Sequence, residues 1–298
     1  MSARMKSAIH STIKTFAFLV TLFSCTYASA QDSVPTPDDN GDQPISLTSQ
    51  NDRKTEEEKA KDNESPFSTY KDNYLLMGWS DSALTDDLVF KFQVSAKLRL
   101  PVNGLFLSYT QRSFMDVLQD SAPFYDHNFE PEVFYVYTFS DAFTQNYWLR
   151  SLQFGYRHSS NGLETVNSRS WERIYLEAAI KKGGWYIRPT VWIPFFKDAG
   201  NSDIEKFYGY SEITIAYVWD NDMRLSGQFR LGTDFTKGNA KVDMTLPFQI
   251  FFKTLPSGWS QSNLWFQAWQ GYGETLLGLH ESSTAFAVGV GFRPDFSE

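Results

Sequence analysis

The 298-residue sequence contains a single cysteine, Cys25, and only four histidines. Cys25 falls in a leader-like stretch, so a mature chain would have no thiol, and neither a disulfide framework nor a metal–thiolate centre is possible. Basic charge is also short: 27 Lys and Arg stand against 35 Asp and Glu. Removing the three basic residues of the leader leaves 24 against 35, a net of −11. That balance argues against nucleic acid as a partner. Beyond residue 30 no run of 18 apolar residues occurs, so no helical membrane span can be drawn.

What is present comes in three materials. Residues 1–30 have a basic start, a short apolar core around Phe16–Phe23, and the small residues Ala28, Ser29 and Ala30 before Gln31. This is the pattern of a secretory signal peptide. A lipoprotein signal ending at Cys25 is its rival, and Leu22-Phe23-Ser24 matches that poorly. Residues 31–66 hold ten acidic and four basic residues with almost nothing large and apolar. Such a segment buries too little surface to offset its ordering, and a disordered periplasmic extension is expected.

From about Tyr70 a period of two takes over. Leu88, Phe90, Phe92, Val94 and Ala96 alternate with Lys91, Gln93, Ser95 and Lys97, and Val242, Met244, Leu246 and Phe248 alternate with Lys241, Asp243 and Thr245. Such strands suit a soluble sandwich if the apolar face looks inward, or an outer-membrane barrel if it looks at lipid. Strands of about ten residues favour the barrel. So do aromatic residues at the strand ends (Tyr147, Trp148, Trp171, Trp185, Tyr186, Trp259, Trp265), which read as an interfacial girdle.

One stretch carries chemistry, Tyr156 to Arg173. Leu152, Phe154 and Tyr156 form the apolar face of a strand, and His158 and Ser160 continue it, because positions two apart share a face. Past a turn, Glu172 shares parity with Ile174, Leu176 and Ala178. A serine, a histidine and an acceptor for that histidine are the nucleophile, base and orienting group of a hydrolase. Here all three end the apolar face of a hairpin, where polar groups are not normally found.

This stretch resembles the outer membrane phospholipase A family. The resemblance rests on Tyr156, His158, Ser160, Asn161 and Gly162, followed at matching spacing by Ser168, Arg169, Ser170, Trp171 and Arg173. It extends through S-Y-T-Q at 108–111, S-A-P-F at 121–124, N-F-E-P at 128–131 and G-Y-G-E at 271–274, and covers about the last 230 residues. Glu172 departs from it, since the family commonly has asparagine there. The resemblance implies a 12-stranded antiparallel transmembrane β-barrel over 67–298, with both ends in the periplasm and the site on its outer wall just below the extracellular rim. With the weak early strands cut to agree, strands are expected near 72–80, 88–100, 104–113, 131–139, 147–159, 171–181, 184–195, 209–219, 223–232, 241–251, 262–271 and 284–293.

The implied activity is calcium-dependent hydrolysis of acyl esters of phospholipids and lysophospholipids, of A1 and A2 type, by a homodimer in the bacterial outer membrane. Ser160 would be the nucleophile, His158 the general base and acid, and Glu172 the group that orients His158. Backbone N–H groups near Gly162 would help to stabilise the oxyanion. The residues that match the family's ligands for Ca2+ at a dimer interface are Ser168, the backbone carbonyl of Leu163 and, from the facing subunit, Ser121. The residue types alone show no dense carboxylate loop for calcium.

Other candidates are bland. His127 and His280 stand alone without partners at metal spacing and read as rim or loop histidines, and Glu130 reads as structural. Gln111 shares parity with Leu105, Leu107 and Tyr109, which puts an amide on the lipid-facing wall. Either a partner across a dimer interface or water at the rim would satisfy it. Two readings compete with the enzyme: a catalytically silent barrel serving as pore or scaffold, and a soluble β-sandwich with its apolar faces buried.

Overall fold

The computed structural model describes residues 65–294, apart from 253, 256–258 and 260. The signal peptide expected at 1–30 and all but the last two residues of the extension expected at 31–66 lie outside the described residues. The alternating stretches form strands β1 (Phe67–Thr69), β2 (Asn73–Ser80), β3 (Leu88–Arg99), β4 (Leu105–Asp116), β5 (Phe124–Thr138), β6 (Leu149–Ser160) and β7 (Ser170–Lys182). They continue with β8 (Trp185–Lys197), β9 (Ser211–Val218), β10 (Arg224–Leu231), β11 (Gly238–Pro247), β12 (Ser262–Tyr272) and β13 (Ser282–Phe292). From β2 to β13 each strand pairs antiparallel with the next, and β13 pairs back onto β2. The result is the expected closed barrel of twelve strands. Closure leaves no ladder of unpaired amides, the condition for crossing lipid with strands.

Three departures from the expected strands have local causes. The short β1 was not anticipated; it pairs Phe67–Thr69 with Leu98–Ala96 of β3. Strand β5 starts at Phe124 rather than 131 and runs straight through Pro131, which sits opposite Tyr109 of β4. Strand β11 stops at Pro247, before the expected end at 251. Proline cannot donate to the ladder, and the chain turns there into a 3-10 helix, Phe248–Ile250.

The apolar parity faces outward. Phe154, Leu176, Val191, Ile193 and Phe195 are about half exposed or more on the outer wall of β6, β7 and β8. In water each such side chain would forgo about 1.5–3 kcal/mol of burial, whereas lipid accepts them. Tyr147, Trp148 and Trp185 are exposed where a girdle was expected. Trp171 and Trp265 are not part of it. Both have lumen parity and are buried, with the Trp265 indole N–H donating to Asp243 (2.8 Å) and the Arg173 guanidinium 3.8 Å over the Trp171 ring.

The lumen is filled. Arg224 forks onto Asp72 at 3.0 and 2.8 Å, Lys91 meets Glu274 at 2.6 Å, and Arg188 meets Glu177. Breaking the Lys91–Glu274 pair, largely buried on both sides, costs about 3–5 kcal/mol. At one mouth, Ile204, Phe207 and Tyr208 of the β8–β9 loop and Leu276 and Leu279 of the β12–β13 loop pack onto Phe134, Trp171, Tyr175 and Trp192. That mouth also carries the loops 117–123 and 161–169, while the opposite mouth carries the tight turns at 183–184 and 219–223. Short turns face the periplasm in such barrels, which makes the capped mouth the extracellular one.

Candidate active site

Strand β6 ends at Ser160, and β7 begins after a loop, at Ser170. In the β6–β7 ladder His158 lies directly opposite Glu172, and Ser160 opposite Ser170. The hairpin therefore brings His158, Ser160 and Glu172 together on the outer wall, at the extracellular end of the apolar belt. His158 Nδ1 is 3.6 Å from Glu172 Oε1, just beyond hydrogen-bond distance, and both side chains are a little over a quarter exposed. Tyr156, two residues below His158 on the same face, has its hydroxyl near Glu172 as well. The Ser160 hydroxyl makes no hydrogen bond among the described residues. Ser160 and His158 are adjacent positions of one strand face, about 6.5 Å apart along the backbone, and nucleophile–base bonds of this kind commonly tighten only around substrate.

The connecting loop is built around Asn161. Its buried side chain accepts from the amides of Leu163 (3.3 Å) and Arg169 (3.0 Å) and donates to the Asn167 carbonyl (2.8 Å). Arg169 returns its guanidinium to the carbonyls of Val166 and Ser168, both at 2.8 Å. Gly162 leaves the strand at φ +68°, and a Cβ there would meet the Phe129 ring at 2.8 Å. Glycine takes that backbone conformation without strain.

Leu163 and Ser168 both lie on this loop. The Ser168 hydroxyl donates to Asp198 at 2.5 Å, and this bond leads the causes that hold the Asp198 carboxyl below the usual carboxylate range. Asp198 and Asn201 belong to the β8–β9 loop. Asn201, fully buried, exchanges hydrogen bonds with the Ser170 backbone at 3.2 and 3.1 Å, docking that loop against the site. Neither residue was singled out from the sequence. K-D-A-G-N-S-D signals only a turn, and the contact with Ser168 joins residues thirty apart. Ser121 stands elsewhere, exposed in the β4–β5 turn with φ 70°, and no hydrogen bond among the described residues joins it to Ser168 or Leu163. Among the described residues no group of three or more His, Cys, Asp or Glu is placed to hold a metal.

Gln111 is on the outer wall as expected, yet its amide is satisfied within the chain. It accepts from Tyr109 (3.1 Å) and donates to Ser113 (3.0 Å), which in turn bonds His127 Nδ1 (2.8 Å). His127 thus lies near the rim end of β5, stacked on Phe129 and tilted against Phe124. His280 is a loop residue that contacts Asp203 at 3.0 Å.

A closed twelve-stranded barrel with an apolar outer wall and a filled, charged lumen is a bacterial outer-membrane protein. The family model described as Phospholipase A1 matches residues 50–292. Curated relatives include the Phospholipase A1 of Salmonella typhimurium, 30% identical over 76% of this chain and 74% of its own, and that of Proteus vulgaris, 29% identical over 77% and 83%. Among solved structures, an active-site asparagine-to-alanine mutant of the Escherichia coli outer membrane phospholipase A aligns with TM-score 0.67 at 27% identity, covering 78% of this chain and 94% of that one. The Salmonella typhi outer membrane phospholipase dimer with bound calcium aligns with TM-score 0.68, also at 27% identity and the same coverage. The chain belongs to the phospholipase A1 family and is an outer-membrane phospholipase.

Proposed function

We propose that the protein hydrolyses acyl esters of phospholipids and lysophospholipids, at both A1 and A2 positions, at the outer-leaflet surface through Ser160, His158 and Glu172. The observation that carries this reading is the cross-strand pair His158–Glu172 on the lipid-facing wall with Ser160 next along the same face. A nucleophile at headgroup level meets an ester without drawing the lipid far from the bilayer.

Ser160 Oγ attacks the ester carbonyl while His158 takes its proton. His158 then gives that proton to the departing alcohol oxygen of the lysophospholipid. Water, deprotonated by His158, hydrolyses the acyl-serine and releases the fatty acid. Glu172 engages Nδ1 and leaves Nε2 for the serine, fixing the tautomer. The backbone N–H of Gly162, two residues after the nucleophile, is the donor assigned to the developing oxyanion.

The oxygens around the loop fit calcium. The Ser168 hydroxyl, the Leu163 carbonyl and the ionised Asp198 carboxylate form a hard, all-oxygen donor set. Ser121 of the partner subunit would complete it in a homodimer. Held there, Ca2+ would supply positive charge that helps to stabilise the oxyanion.

Ser160→Ala should abolish hydrolysis of phospholipid in mixed micelles while the barrel keeps its heat-modifiable mobility. Hydrolysis by this variant at the wild-type rate would place the nucleophile elsewhere.

A further inference from the structure

The ladder that holds β6 to β5 has a gap behind the site. Phe129 pairs with Ser160 and Glu132 with Arg157, but the two positions between, Glu130 and Pro131 facing Ser159 and His158, are unbridged. Pro131 has no N–H to give. On this side, the segment carrying His158 and Ser159 is held by side chains instead. Ser159 points into the lumen and is buried. Its hydroxyl accepts from Arg173 at 2.9 Å and donates to Glu130 Oε1 at 3.5 Å.

Glu130 is in turn held by a residue from outside the regular barrel strands. Lys71 lies between β1 and β2, and its Nζ reaches Glu130 Oε2 at 3.1 Å and Glu132 Oε1 at 2.6 Å. The segment is fixed as it enters: the Lys71 amide donates to Ser95 Oγ at 3.1 Å, and Tyr70 stacks on Phe134 at 5.0 Å. Arg112 and Arg157 flank the two carboxylates, Arg157 as an ionic contact at 2.8 Å from Glu132.

We infer that Lys71 is a positioning residue for the reaction. Through Glu130 and Ser159 it sets, from inside the barrel, the stretch of β6 that presents His158 and Ser160 on the outside. This rests on the reading of His158 and Ser160 as the reacting pair. The chain Lys71–Glu130–Ser159 takes the place of the backbone bond that Pro131 cannot donate, and it touches no substrate. Loosening it by an ångström would misplace the base and the nucleophile relative to each other, a displacement that costs up to about a hundredfold in rate. Lipid binding, set by the outer wall, would be unaffected.

A double-mutant cycle tests this. Lys71→Met and Ser159→Ala should each lower kcat about tenfold or more with KM unchanged. Because they act through one chain, Lys71→Met should have little further effect in the Ser159→Ala background. Lys71→Arg, which can still span both carboxylates, should restore most of the rate. Rates are taken per folded barrel, counted by heat-modifiable mobility, so partial misfolding of one variant does not enter them. Additive losses, unchanged kcat in Lys71→Met, or a loss that appears in KM alone would overturn the inference. The catalytic reading is scored separately by mapping a sulfonyl fluoride adduct in the wild-type protein. An adduct away from Ser160 would sink that reading, whereas an adduct on Ser160 with additive losses sinks only the role of Lys71.

Discussion

Glu172 places a carboxylate where lipid tails begin, and its surroundings explain how it is accommodated. It is the third residue of β7, faces His158 across the ladder, and has the Tyr156 hydroxyl near it. An asparagine at this position would offer the imidazole the same acceptor without the charge. Glu172→Asn should therefore retain kcat within about tenfold of wild type, whereas Glu172→Ala, which removes the acceptor, should lose about a hundredfold or more in the same micelle assay. Equal losses would mean that something other than Glu172 orients His158. Asp198 is the second acidic residue at the site. The Ser168 hydroxyl depresses its carboxyl, so it is ionised at neutral pH and loses its charge only as pH falls below the usual carboxylate range. Since ligand charge tunes calcium affinity, Asp198→Asn should raise the calcium concentration for half-maximal dimer formation about tenfold, measured by sedimentation in detergent. The wild-type response should persist through mildly acidic pH. An unchanged midpoint would remove Asp198 from the cation site.

At the scale of elements, the hairpin β6–β7 and the loops against it form the working part. Three hydrogen bonds from the Asn161 side chain close the 161–169 loop. Asn161→Ala would leave the amides of Leu163 and Arg169 without that acceptor. Hydrogen exchange at those two amides should accelerate while amides in mid-β7 stay protected. Unchanged exchange would show the loop is held by Arg169 and Asn201 alone. The strands and the His158, Ser160, Glu172 face were legible because a barrel wall imposes one rule, period two, on every residue of a strand. The aromatic positions show where that rule needs parity as well as type. Trp171 and Trp265 have the composition of a girdle but the parity of the lumen, and they are buried. Strand ends were misread at two prolines: Pro247 ends β11 short of the expected 251, while Pro131, expected to open its strand, lies within β5. Asp198, Asn201 and Lys71 were not legible at all. Each matters through contacts with residues about thirty or more away in sequence, and no local pattern encodes such a contact.

At the scale of the whole molecule, the lumen decides between an enzyme and a pore. Paired charges fill the barrel, and side chains of two loops cap its extracellular mouth. Reconstituted in planar bilayers, the protein should show no steady ohmic conductance of the porin kind, and a stable open conductance would contradict the filled lumen. Assembly belongs to this scale too. Ser121, on the β4–β5 turn, is proposed to reach the Ser168 and Leu163 oxygens from a second copy. Calcium should raise the dimer fraction in detergent by mass action, since it would bind only the dimer, and Ser121→Ala and Ser168→Ala should each weaken that response.

The most direct test of the account is covalent labelling of the wild-type protein with a long-chain alkyl sulfonyl fluoride, with and without calcium, followed by peptide mapping. The account predicts one adduct, on Ser160, formed faster with calcium and coinciding with loss of hydrolysis. Inactivation with the adduct on another residue, or complete labelling of Ser160 with full activity retained, would contradict it.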